Sequence, residues 1–116
     1  MEPTILVVSS DGALRRALVS QLSAALPLNV EAHANLARGT GTGPSGIVVV
    51  PAAELTLSHC RGLVQEGLRV VVLAAFPRQI DQESYIDAGA AAYLPMTTDP
   101  APLLEAIIRV SESVPG

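Results

Sequence analysis

The sequence predicts a three-layer α/β sandwich, in which a parallel sheet of about five strands is covered by helices on both faces. Three observations lead there. Short apolar runs rich in valine and isoleucine (ILVV from Ile5, IVVV from Ile47, VVVL from Val70) read as strands buried on both sides. Stretches with helical spacing alternate with these runs. The chain has 116 residues, 49% hydrophobic and 16% charged, which makes residues 1–116 a single domain with its own core and no room for a second.

The elements follow in order. Thr4 to Val8 is the first strand, and Ser9, Ser10, Asp11 and Gly12 offer caps to the helix after it. In that helix Leu14, Leu18, Leu22 and Leu26 recur every fourth residue, and Pro27 ends it. Val30 to His33 alternates and lies near an edge. Asn35 to Ser45 holds too many glycines, and a proline, for a stable helix, so it is expected to be a loop with at most one helical turn. Its Gly41, Gly43 and Gly46 match GxGxxG, but a strand follows where the dinucleotide fingerprint needs a helix. Ile47 to Val50 and Val70 to Leu73 are buried strands, separated by a helical stretch from Leu55 to Glu66 that Gly67 ends. Gln79 to Ala88 is helical and closed by Gly89, and Ala92 to Leu94 is the last strand. Asp99 caps a final helix with Pro100 in its first position, where a missing N–H costs least.

Composition excludes several functions. All seven basic residues are arginine, which removes every lysine-based mechanism, including Schiff-base chemistry and the P-loop phosphate clamp. Cys60 is the one cysteine, so no internal disulfide or common zinc set exists. A net charge of −4 with scattered arginines, and three aromatics in all, disfavour a nucleic-acid surface. No apolar run approaches the length of a membrane span, and no signal peptide precedes the first strand, so a cytoplasmic location is expected.

Four stretches carry a family resemblance: ILVVSSDGALRRAL at Ile5 to Leu18, GIVVV at Gly46 to Val50, VVVLAAF at Val70 to Phe76, and AGAAAYLPMTTDPAPLLEAI at Ala88 to Ile107. Together they resemble the CheY-like receiver domains of two-component response regulators, and the last resembles NarL-type receivers most. The resemblance implies a flavodoxin-like sheet in the order 2-1-3-4-5, here with the second helix reduced or lost, and a site in the crevice at the carboxyl ends of the strands. The family's chemistry needs an acidic pair for magnesium after the first strand, an acceptor aspartate ending the third, a hydroxyl ending the fourth and a lysine ending the fifth. By position these fall on Ser9 and Ser10, Pro51, Ala74 and Met96, and all five depart from the pattern. Proline offers no nucleophile, serines hold magnesium poorly, and methionine cannot pair with a phosphate.

The remaining polar residues have plain readings. Asp11 reads as a helix cap rather than a metal ligand, and Ser9 and Ser10 as partners of loop amides rather than an anion cradle. Glu54 reads as a turn carboxylate facing solvent rather than a phosphate mimic. His59 and Cys60 are adjacent, so their side chains diverge on a helix and no third ligand stands by. Tyr93 resembles the fifth-strand aromatic that changes rotamer in ordinary receivers, but with Ala74 opposite it reads as a packing residue. His33 reads as a surface residue at a strand end.

The expected function is therefore that of a non-catalytic, phosphorylation-independent pseudo-receiver without cofactor or metal, acting as a signalling or protein–protein interaction module, with the regulatory domain of a transcription regulator as one setting for it. Its partner would be another protein or a second copy, neither nucleic acid nor membrane. The resemblance places the contact on the face of the fourth helix, fifth strand and fifth helix. That face would draw on Tyr85, Tyr93, Leu103, Leu104, Ile107 and Ile108, because the last helix carries more apolar residues than one stripe requires. The alternative is a small-molecule sensor that uses the neutralised crevice.

Overall fold

The computed structural model describes residues 4–26, 29–33, 46–96 and 101–112. Strands β1 (Ile5–Val8), β3 (Ile47–Pro51) and β4 (Arg69–Ala74) form the centre of a five-stranded parallel sheet, and β2 (Val30–His33) and β5 (Ala92–Pro95) form its edges, in the order β2-β1-β3-β4-β5. Every residue of β1 and β3 is buried, as continuous apolar runs in a sheet covered on both faces require. Ile5 lies opposite Val30 on one side and Ile47 on the other, so the carboxyl ends of the central strands line up along one rim.

Alternation along the strands divides the core in two. Ile5, Val7, Ile47, Val49, Val71 and Leu73 point to one face, where they pack with Leu18 and Leu22 of α1 (Gly12–Ala25) and with Leu103, Ile107 and Val110 of α4 (Ala101–Glu112). Leu6, Val8, Val48, Val50, Val70 and Val72 point to the other. There they meet Cys60 of α2 (Leu57–Gln65), with Ala88 and Ala90 at and beyond the end of α3 (Gln79–Asp87). Each such buried valine, leucine or isoleucine contributes about 1.5–3 kcal/mol. Gly89 is required where it stands. Its φ is 107°, and a Cβ there would lie 2.8 Å from Cγ1 of Val64, so α3 turns directly over the side chain of α2.

The sequence expectations hold for strand order and crossovers, and the four α-helices among the described residues agree with a reduced second helix. The Asn35–Ser45 loop and the Asp99–Pro100 cap lie outside the described residues. The stretch expected to be helical from Leu55 begins instead with a 3-10 turn, Ala52–Glu54, and α2 starts only at Leu57, capped by Thr56, whose Oγ1 accepts from the amide of His59 at 3.1 Å.

One expectation is corrected. Leu103 and Ile107 were assigned to the contact face, but both are buried, Ile107 completely. The wide apolar stripe of α4 is used up by the sheet beneath it and by the cluster it shares with α1. Leu104 is half-buried against the same cluster, and of the α4 residues assigned to that face only Ile108 is exposed.

Candidate functional site

The strand ends bring Ser9, Ser10, Pro51, Ala74 and Met96 to one rim, where the sheet order changes direction between β1 and β3. Ser9 is the one fully buried polar residue among those described, and Pro51 and Ala74 are buried beside the rim. The amide of Met96 donates to the carbonyl of Ala74 at 2.8 Å, which extends the β4–β5 ladder by one bond, and Met96 packs against the α1/α4 core. Its flexible thioether suits such a gap among apolar neighbours.

The residue that organises this rim is Glu54, and here the sequence expectation is overturned. Its Oε2 accepts from the Ser9 hydroxyl at 2.9 Å and its Oε1 from the Ser10 amide at 2.7 Å. The carboxylate thus faces the crevice, bridging the 3-10 turn after β3 to the loop after β1. The 3-10 turn is the cause: it curls the chain back after Pro51, so a residue three positions on returns to the strand end. Ser9 also accepts from the Asp11 amide at 3.1 Å through its Oγ, and its carbonyl accepts from Nη1 of Arg15 at 2.6 Å. Asp11 caps α1, accepting from the amides of Ala13 and Leu14. The Ser9 hydroxyl and carbonyl and the amides of Ser10 and Asp11 are therefore all engaged by the chain's own groups. Among the described residues, no group of three or more histidine, cysteine, aspartate or glutamate side chains could hold a metal ion.

Behind the turn lies a second cluster. The Tyr85 hydroxyl, from α3, is shared between the carbonyls of Leu55 at 2.6 Å and Ala52 at 3.2 Å. Its ring stacks on that of Tyr93, with centroids 5.9 Å apart and planes inclined by 23°. Burial raises the Tyr85 hydroxyl above the ordinary tyrosine range, and the nearby Asp81 carboxylate adds to the shift. The Tyr93 hydroxyl lies 3.5 Å from the amide of Arg78, and Arg78 pairs with Asp81 at 3.0 Å. Beside them a shallow groove of about 400 Å³ runs between Pro77, Arg78, Gln79, Gln82, Tyr93 and Pro95. Phe76 and Ile80 stand exposed at its end of α3, Phe76 by 88%.

Of the residues expected on the contact face, Tyr85 and Tyr93 are adjacent and half-buried, and Ile108 is exposed. Phe76, Ile80 and Ile86 are large exposed apolar side chains that the sequence reading passed over. The signal for Phe76 was its place just after the β4 run, next to Pro77, where a loop has no core to enter.

No protein-family model matches the sequence, and no curated protein matches it either. Solved structures do match in fold. A protein described as pilus assembly-related from Burkholderia pseudomallei aligns with a TM-score of 0.83 at 19% identity, over 99% of this chain and 93% of that one. A response regulator from Thermotoga maritima aligns at 0.78 with 22% identity, over 97% and 100%. The structure named FixJ-N aligns at 0.82 with 18% identity, over 100% and 98%. At these identities the likeness establishes the fold, which is that of the CheY-like response regulator receivers.

Proposed function

We propose that this receiver-fold chain is a signalling and protein–protein interaction module that works without phosphorylation. The observation that carries the reading is Glu54. A receiver that accepts a phosphoryl group needs a cation and a lysine to offset two anions meeting in the crevice. In this chain Pro51 stands at the acceptor position, no lysine exists, and the crevice already contains a carboxylate held by a buried hydroxyl and an amide. An arriving phosphate would meet a carboxylate and no lysine, and the one guanidinium at the rim, Arg15, already donates to the Ser9 carbonyl.

The same carboxylate argues against the sensor alternative, because the Ser9 hydroxyl and the Ser10 amide, donors a ligand would use, are already engaged. The interaction surface lies on the side of α3 and β5 instead, around Phe76, Ile80, Ile86 and Tyr93, with Ile108 of α4 as a further exposed contact. Its occupant is a protein or a second copy of the chain. The receiver fold, shared with a protein described as pilus assembly-related and with response regulators, supports a signalling module. No helix among the described residues is long and apolar enough to cross a membrane, in keeping with a cytoplasmic role.

The test is chemical. After incubation with a small acyl phosphate and magnesium, the intact mass should be unchanged. A stoichiometric phosphate adduct on any crevice residue would overturn the proposal.

A further inference from the structure

The 3-10 turn Ala52–Glu54 is gripped from two sides by side chains that are remote from it in sequence. On the crevice side, the Glu54 carboxylate takes the Ser9 hydroxyl and Ser10 amide. On the other, the carbonyls of Ala52 and Leu55 take the Tyr85 hydroxyl. The turn has no side-chain cap of its own, and the Leu55 amide closes its end onto the Ala52 carbonyl at 3.2 Å. Its position is therefore set by these two grips and by the burial of Pro51 and Leu55 at its ends.

We infer that this turn is a lever linking the crevice to the tyrosine face: Glu54 holds it on one side, Tyr85 reads it on the other, and loosening either grip loosens the second. The Tyr85 hydroxyl has one proton to share between two carbonyls 3 residues apart, and that sharing works only while the turn keeps its curl. The Tyr85 ring carries the change to Tyr93, and Tyr93 lines the groove beside the exposed Phe76 and Ile80. A protein that docks on this groove and prefers one arrangement of the tyrosine pair would thus tighten or relax the crevice, and the coupling would run equally in both directions. Tyr85 is here a positioning residue: it acts through the turn and the neighbouring ring. The lever rests on the geometry alone and would hold even if a phosphate adduct were found.

The chain offers a clean readout, because it has no tryptophan and its two tyrosines are the stacked pair. Near-ultraviolet circular dichroism in the tyrosine band therefore reports that pair. Glu54→Ala, which alters no aromatic residue, should lose tyrosine-band amplitude toward the value of Tyr85→Phe while the far-ultraviolet spectrum stays that of the wild type. In urea unfolding, the Glu54→Ala/Tyr85→Phe double variant should be less destabilised than the product of the two single effects, by about threefold or more in the unfolding constant. Ser9→Ala, which withdraws one donor and leaves the carboxylate, serves as the milder probe if Glu54→Ala does not fold, and should move the band in the same direction. A tyrosine band unchanged in the folded crevice variant, or single effects that multiply independently, would overturn the lever.

Discussion

Ser9 shows how one buried hydroxyl can tie two loops together. Its Oγ donates to Glu54 and accepts from the Asp11 amide, so both capacities are used inside the protein. Ser9→Ala should therefore cost about 1–3 kcal/mol, read as a lower urea midpoint with an unchanged slope, because it strands an amide and a carboxylate oxygen together. Residue-scale reasoning from sequence reached the Asp11 cap because a cap is decided within three residues of chain. It could not reach Glu54, whose partner is 45 positions away and whose direction depends on a turn that no periodicity announces. Two other buried groups make the chain sensitive to alkali. Burial pushes the Cys60 thiol up, with Arg61 opposing in part, and Tyr85 is raised chiefly by the same cause. A folded-state value above the unfolded one means that the folded chain holds its proton more tightly. The associated stability is present at neutral pH and is lost as pH rises through the folded values. The urea midpoint should fall from about pH 8.5, the ordinary thiol value, and more steeply beyond about 10, the ordinary tyrosine value. Cys60→Ala should flatten the first part of that decline.

At the scale of elements, α4 separates what periodicity can and cannot say. Its sequence announced a wide apolar arc, and the arc is real, but the number of surfaces available to cover it is a property of the layer. The sheet and the cluster shared with α1 absorb Leu103, Ile107 and Val110, leaving Ile108 at 42% exposure. Two adjacent isoleucines should therefore behave in opposite ways. Ile107→Ala should cost about 2–5 kcal/mol by removing a fully buried side chain, while Ile108→Glu should stay within about 0.5 kcal/mol of the wild type, both measured by urea unfolding. Equal losses would mean that the helix is rotated from the orientation described. The strands were legible for the converse reason: burial on both faces writes a continuous apolar run, and β1, β3 and β4 carry one each.

For the whole molecule, the receiver fold was legible because strand order, crossover spacing and the closing AGAAAYL stretch all agree with one topology, whereas the surface was not, since exposure is a remainder after packing. What remains exposed is centred on Phe76, Ile80 and Ile86. If a second copy is the occupant, the wild type should sediment as a dimer at micromolar concentration without any phosphodonor, and Phe76→Ser should shift it to monomer. A monomeric wild type would assign the face to a different protein. The Glu54 bridge also bears on redesign. Pro51→Asp alone would set a second carboxylate at the start of the turn that carries the first, in a chain without lysine, and like charges close together destabilise the fold. Removing Glu54 first leaves the Ser9 hydroxyl and the Ser10 amide without their partner. Each single change is unfavourable by itself, so an acceptor carboxylate is best introduced into this crevice together with the loss of Glu54.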